Sequence, residues 1–409
     1  MAGDTKTFEY SVRDQSGKVV KGRVQATDQV AVAHRLREMG MAAVAITEVS
    51  TRGLHSAIHI PGLTDKIGLK DLSIMARQLA TMINAGLSLL RALAILADQT
   101  ENAALAKVIA QVRNDVEVGL SLSVAMAKHP QVFPPLLVNM LRAGEVGGFL
   151  DQALLAIADN FEAEVRLRGK IKSAMAYPVI VLIIAILAVI GMMLFILPTF
   201  AGMYAGFGAQ LPVFTRVLLG ISSFMKVTIL PGVALLIVGA WWWGRHKNDR
   251  GLREKLDPLK LKAPVFGELT RKIAVSRFTR NLGTMLHAGV PLLQALDIVG
   301  QTSGNMVVET ATRDVVESVR QGRALTEPLA RHWVFPPMVV QMMAVGEDTG
   351  ALDVMLGKIS DFFDQEVEAT TDALTSLIEP LMIVVIGAVV GAMVVGMYLP
   401  IFQIFNVIS

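Results

Sequence analysis

Carboxylates are the side chains here whose spacing could do chemistry. Asp361, Asp364, Glu366, Glu368 and Asp372 crowd into one short stretch, and acids at helical spacing can converge on a divalent cation across an interface. The plainer reading is a solvated helix face. Glu145 and Glu347 each sit in a glycine-rich turn, Gly144-Glu145-Val146-Gly147-Gly148 and Gly346-Glu347-Asp348-Thr349-Gly350. There a carboxylate can accept N–H bonds of the next helix. The competing reading makes Gly144, Glu145, Gly148, Gly346, Glu347 and Gly350 partner-contact turns, because exposed turns at bundle ends are common binding surfaces. His55 and His59 have the spacing of two metal ligands on a helix, but Pro61 and Gly62 break such a helix and no cysteine lies nearby. A solvated linker is expected instead.

Other chemistries lack their residues. Gly17-Lys18, Gly169-Lys170 and Gly357-Lys358 are each followed by an apolar residue, so there is no phosphate-cradling Gly-Lys-Ser/Thr loop. His-Glu-x-x-His and Gly-x-Ser-x-Gly are absent, and with no cysteine there is no thiol nucleophile and no disulfide. An enzyme is not expected, nor a cofactor or metal. The net charge of +3 is small for 409 residues and gives no reason to expect nucleic acid. A hydrophobic content of 53% points to a membrane protein.

The elements that carry these turns come in two copies. Arg77 to Leu93 reads RQLATMINAGLSLLRAL and Arg280 to Leu296 reads RNLGTMLHAGVPLLQAL, identical at 10 of 17 positions. Phe133-Pro134-Pro135 then matches Phe335-Pro336-Pro337, and Pro178 matches Pro380. Leu72, Met75, Ala76, Leu79, Met82 and Ile83 form one helical face that Gly86 ends, Ser88 can cap the next helix, and Pro291 suits the matching start. Each copy reads as a bundle of about six helices with short connections.

Val179 to Leu197 and Leu381 to Leu399 carry no charge and are long enough to cross a bilayer. Val227 to Trp243, ending in Trp241-Trp242-Trp243 before Arg245, His246 and Lys247, reads as a third span with an interfacial belt. The expected fold is mainly α: a polytopic inner-membrane protein with two homologous cytoplasmic helical bundles, three transmembrane helices and a small N-terminal αβ unit. The divisions are an αβ unit over 1–50 (hairpin, short helix from Thr27 or Asp28 to Gly40, return strand), a linker over 51–69, bundle 1 over 70–174 and span 1 over 175–198. An external loop over 199–226 and span 2 over 227–244 come next, then a basic linker over 245–272, bundle 2 over 273–378, span 3 over 379–402 and a short external tail over 403–409.

Arg166, Arg168, Lys170 and Lys172 precede span 1, and Arg245, Lys247, Arg250, Arg253 and Lys255 follow span 2, so the positive-inside rule puts both bundles in the cytoplasm. The polar start of the chain lacks a secretory signal's apolar core, which is consistent with that side. The spans hold no ionisable residue except Glu379 at the mouth of the third, which argues against a transporter. In span 3, Gly387, Ala388, Gly391, Ala392 and Gly396 recur at a period that lets helix backbones approach closely, a candidate packing face. Ordinary glycine content of a span is the alternative.

Taken together, Phe8-Glu9-Tyr10 with Asp14-x-x-Gly17-Lys18-x-x-x-Gly22, the paired Arg-x-Leu-x-Thr-Met segments, both Phe-Pro-Pro turns, both Gly-Glu turns and Glu379-Pro380 resemble the type II secretion F family over nearly the whole chain. Met82-Ile83-Asn84-Ala85-Gly86-Leu87, Leu211-Pro212 and Tyr398-Leu399-Pro400-Ile401-Phe402 look most like its type IV pilus branch. Ser88 stands where the family often has proline. The resemblance implies an inner-membrane platform, a homo-oligomer in the bilayer. Such a platform couples a cytoplasmic hexameric assembly or retraction ATPase to pilins and works with other inner-membrane pilus components. The corresponding platform of a type II secretion machine is the alternative cargo on the same design.

Overall fold

A computed structural model describes the backbone of residues 6–13, 19–26, 31–32, 43–48, 66–206, 212–246 and 249–408. The chain divides into two compact units, Met1–Lys66 and Ile67–Ser409. In the first, strands β1 (Lys6–Arg13), β2 (Val19–Ala26) and β3 (Ala43–Glu48) form an antiparallel sheet in the order β2-β1-β3. The hairpin pairs Lys6 with Ala26 and Arg13 with Val19, and β1 meets β3 with a register irregularity between Ser11 and Val12. The helix expected between Thr27 and Gly40 lies outside the described residues apart from Ala31 and Val32, as do His55 and His59.

The second unit holds both bundles. Repeat 1 runs through α1 (Leu69–Asn84), α2 (Leu89–Gln99), α3 (Ala103–Glu117), α4 (Leu122–Ala127), α5 (Pro135–Gly147) and α6 (Leu150–Gly191). A π-helical turn, Met192–Ile196, leads into α7 (Leu197–Gly206), and α8 (Val213–His246) and α9 (Arg250–Lys262) follow. Repeat 2 runs through α10 (Phe266–His287), α11 (Leu292–Thr302), α12 (Met306–Arg320), α13 (Thr326–Arg331), α14 (Pro337–Thr349) and α15 (Leu352–Ile408).

The local rules behind these elements are visible. Leu72, Met75, Ala76 and Leu79 form the buried face of α1. The second proline of each Phe-Pro-Pro turn, Pro135 and Pro337, takes the first helical position, where a missing N–H costs nothing. Asn102, Ser121 and Asn305 cap their helices through side-chain oxygens. Ser88 occupies the cap position of α2 but its side chain makes no capping bond, and Pro291 takes the equivalent position before α11. The two bundles share a continuous core, from Leu79, Leu93 and Phe133 of repeat 1 to Phe278, Leu296 and Phe335 of repeat 2.

By length and composition, three helical segments among the described residues can cross a membrane: Leu150–Met203, Val213–His246 and Leu352–Leu399. The chain runs from each bundle into its span without a break. The boundaries expected at 174/175 and 378/379 therefore fall inside continuous helices, which run through Pro178 and Pro380 without ending there. The stretch expected as an external loop is helical over Leu197–Gly206 and from Val213 onward, and the expected tail stays helical to Ile408. The basic linker also contains a helix, α9. Its Asp257 is buried and accepts the N–H of Met306 at the start of α12 (3.1 Å), which fixes α9 to bundle 2.

Candidate functional site

Each glycine-rich turn joins the end of one helix to the start of a long one. Gly148 (φ 76°) and Gly350 (φ 71°) adopt the left-handed conformation that closes α5 and α14, where a β-carbon is costly. Gly144 and Gly346 do something different. They lie buried against the next helix, and a β-carbon on Gly144 would fall 2.6 Å from Ala153 Cβ, one on Gly346 3.0 Å from Leu352 Cα. Their lack of a side chain sets the spacing between α5 and α6, and between α14 and α15.

The two glutamates cap helices, in the opposite chain direction from the sequence expectation. Glu145 accepts the backbone N–H of Ser123 with both carboxylate oxygens (3.3 Å), and Glu347 accepts that of Leu325 (2.9 Å). Each therefore caps the short helix that precedes it, α4 or α13, rather than the one that follows. Those two helices are only six residues long, so unsatisfied first-turn donors form a large share of their backbone groups. Within the turns, the exposed side chains are Val146 (86% exposed), Asp348 and Thr349.

The turns are also far from the spans. Outward-facing apolar residues of the spans begin at Tyr177 on α6 and Leu377 on α15, about 40 Å along each helix from its first residue at 1.5 Å per residue.

A second constellation holds the bundles to their long helices, and the sequence reading did not single it out. Arg77, from the repeated Arg-x-Leu-x-Thr-Met segment, pairs with Asp159 and with Glu162 (2.6 Å) on α6. Its counterpart Arg280 pairs with Asp364 on α15. Hydrogen bonding to Glu162 and Asp159 raises the Arg77 pKa further, against a smaller opposing effect of burial. The fact that both copies carry this arginine, followed at like spacing by an acid on the long helix, was a usable signal.

Between the repeats, Glu164 of α6 receives Arg277 of α10 at 2.5 Å and lies 4.0 Å from Arg280, while Asn160 donates to Asn281 (3.0 Å). Lys170 pairs with Glu368, and Lys272 with Glu366 and Glu268, both at 2.9 Å. Burial lowers the Lys272 pKa, but hydrogen bonds to Glu366 and Glu268 outweigh it and leave the group raised. Asp364, Glu366 and Glu368 are thus held by basic side chains. These three acids are paired with cations from other helices, while Asp361 and Asp372 are exposed, in keeping with a solvated helix face at those positions.

The candidate packing face in span 3 divides. Gly396 is buried: a β-carbon there would overlap Leu218 Cδ1, and its carbonyl accepts Thr215 Oγ1 (2.7 Å) from α8. Beside it Met193, Leu197, Leu218 and Met393 form a small cluster joining all three spans, and Ser222 Oγ donates to the Met193 carbonyl (2.5 Å). Gly387, Ala388 and Gly391 are exposed, Ala392 is half-buried, and among the described residues nothing lies within 4 Å of a β-carbon built on Gly387 or Gly391.

Comparison with known proteins bears on these same elements. The family described as Type II secretion system (T2SS), protein F, matches residues 75–198 and again 278–400, one match per bundle and span. The N-terminal domain of Type II secretion system protein F matches residues 1–47. A Thermus thermophilus protein named Type IV pilus assembly protein PilC is 44% identical over 407 residues, covering 98% of this chain and 99% of the relative. A Myxococcus xanthus protein of the same name is 42% identical, covering 99% and 96%. A Xanthomonas campestris protein named Type II secretion system protein F is 33% identical over 409 residues, covering 98% and 99%.

Proposed function

The chain belongs to the type II secretion system protein F family, and on that premise we propose that it is the inner-membrane platform of a type IV pilus, with both bundles in the cytoplasm. The greater likeness to pilus-assembly relatives than to the secretion relative supports the pilus reading. The basic flanks of spans 1 and 2 support the orientation.

The single observation that carries the mechanism is the continuity of α6 and α15 from bundle to bilayer. A bundle tilted or turned at its far end must carry its span with it, because the shared core and the Lys170–Glu368 pair tie the two lever arms together. The distal turns at Val146 and Asp348 are the place for a cytoplasmic ATPase to push. Among the spans, the exposed Gly387, Ala388 and Gly391 suit close approach by a pilin helix or a second copy of this chain. The π-helical turn at Met192–Ile196, next to the cluster joining the spans, supplies a point of give.

The test is deletion of the gene, scored for surface fibres and for secreted enzymes. Loss of fibres with secretion intact is expected. The reverse pattern would assign the chain to a secretion machine and overturn the pilus reading.

A further inference from the structure

The corner between α9 and α10 presents apolar side chains outward that no element among the described residues covers. Leu259 is 66% exposed, Val265 60% and Phe266 45%, and Trp333 is exposed nearby, with the Arg271 guanidinium 5.8 Å from its ring centroid. Lys255, Leu259 and Lys262 follow one another at helical spacing along one face of α9. The opposite face, through Asp257 and Leu261, is the one buried on bundle 2.

Val265 is held in a costly conformation to make this corner. Its φ of 71° and ψ of −53° belong to the strained form of the γ-turn, closed by the Phe266 N–H donating to the Pro264 carbonyl at 2.8 Å. Among the described residues it is the one non-glycine with positive φ. A β-branched residue stays there only when its surroundings demand it, and such outliers cluster where a segment is put to use. Gly267 supplies the demand locally: its N–H donates to the Ala263 carbonyl (2.8 Å), and a β-carbon on it would sit 2.5 Å from Leu261 O. The turn therefore throws Val265 and Phe266 outward.

The position of the corner along the molecule says what it meets. α10 runs antiparallel to α15: Ser276 bonds Asp364, Lys272 bonds Thr370, and Leu269 packs in a cluster with Leu374. One helical turn further on, Phe266 reaches the level of Leu377, where the outward apolar face of span 3 begins. α9 itself starts four residues after span 2 ends, beyond the exposed Trp241, Trp242 and Trp243.

Lys255 and Lys262 have no acidic partner among the described residues. The exposed acids close by are engaged, Glu268 by Lys272 at 2.9 Å and Glu254 by Arg250 at 4.0 Å. Outward apolar tips, an exposed tryptophan and lysines without an acidic partner among the described residues form the pattern of an interfacial membrane contact. We infer that the α9–α10 corner is an interfacial anchor, resting on anionic phospholipid and holding bundle 2 against the membrane surface.

The chain has no cysteine, so single cysteines can be introduced for labelling. Leu259→Cys, Val265→Cys and Phe266→Cys, each in the full chain, would carry an environment-sensitive fluorophore after reconstitution into vesicles of phosphatidylcholine with phosphatidylglycerol. Val146→Cys on the distal turn is the control. Headgroup-proximal spin-labelled lipid should quench the three corner labels several-fold more than the control, and aqueous iodide should quench them less. Adding Lys255→Glu and Lys262→Glu should weaken the lipid quenching and remove its dependence on phosphatidylglycerol. Corner labels that respond to iodide as the control does would overturn the anchor. Protection from iodide without lipid quenching would overturn it as well, by assigning the corner to a second copy of the chain.

Discussion

Arg277 of the second repeat reaches Glu164 of the first, Nη2 to Oε1 at 2.5 Å, so an ion pair joins the two copies of the module. Glu164 is buried and also receives Arg168 at 2.6 Å. Removing its charge leaves two guanidinium groups poorly compensated. Glu164→Gln should cost about 2 kcal/mol, less than a fully buried pair because Arg277 keeps partial access to water. Arg277→Met added to Glu164→Gln should recover part of the loss. The thermal unfolding midpoint of the full chain in detergent measures both, and equal midpoints for wild type and Glu164→Gln would remove this pair from the account.

Lys272 supplies a pH dependence whose sign can be stated. Its pKa is raised in the folded chain, so its contribution to stability is fully present below the ordinary lysine value near 10.5 and is lost as pH rises through the raised value. Stability should therefore fall less between pH 10 and 11 in Lys272→Met than in wild type, with little difference in that slope between pH 7 and 9. A matched decline of both proteins across the alkaline range would contradict the assignment.

The capping glutamates separate fold from function. Glu145→Ala and Glu347→Ala each remove the acceptor for a first-turn N–H of a six-residue helix, at a cost of about 0.5–2 kcal/mol. Glutamine keeps an acceptor oxygen and should restore most of the stability. Fibre counts that track protein level across all four variants would mean the carboxylates act through folding. Normal protein level with lost fibres in the glutamine variants would mean the charge itself meets a partner.

How much of this was legible in the chain depended on the range of the interaction. The repeat and the apolar runs are local patterns, and the structure carries both, whereas the Phe-Pro-Pro segments read as turns and proved to start helices at Pro135 and Pro337. Gly148 and Gly350 were readable as turn residues because positive φ is a property of a single residue. Gly144 and Gly346 lie four residues earlier and answer to a neighbouring helix, which spacing alone does not reveal. The same holds for Glu145 and Glu347: their partners lie 22 residues back, and only the folded bundle brings α4 to α5 and α13 to α14. The acidic stretch looked free because its cations, Lys170, Lys272 and Arg280, come from other helices. The linker before bundle 2 hid a helix behind its charges, since the side that packs it consists of Asp257 and Leu261 amid lysines and arginines.

The small residues of span 3 should not behave alike. Gly396→Leu must displace Leu218 and disturb the contact between spans, so protein level should drop. Gly387→Leu and Gly391→Leu meet open space within the chain, and their protein should accumulate normally. If those two faces receive another helix, native mass measurement in detergent will show weakened association together with fewer fibres. Unchanged association and unchanged fibres would leave Gly396 as the packing residue of the five and remove the exposed glycines as an interface.

In the proposed mechanism force enters at the distal turns and travels down continuous helices. The direct measurement places a photoreactive amino acid at Val146 or Asp348 in the full chain, irradiates cells that are assembling fibres, and identifies the adducts by mass. A crosslink from these positions to the assembly ATPase is expected. Glu145→Lys or Glu347→Lys beside them should weaken it and lower the fibre count. Normal fibres with no ATPase adduct from either turn would contradict the account and move the point of contact elsewhere on the bundles.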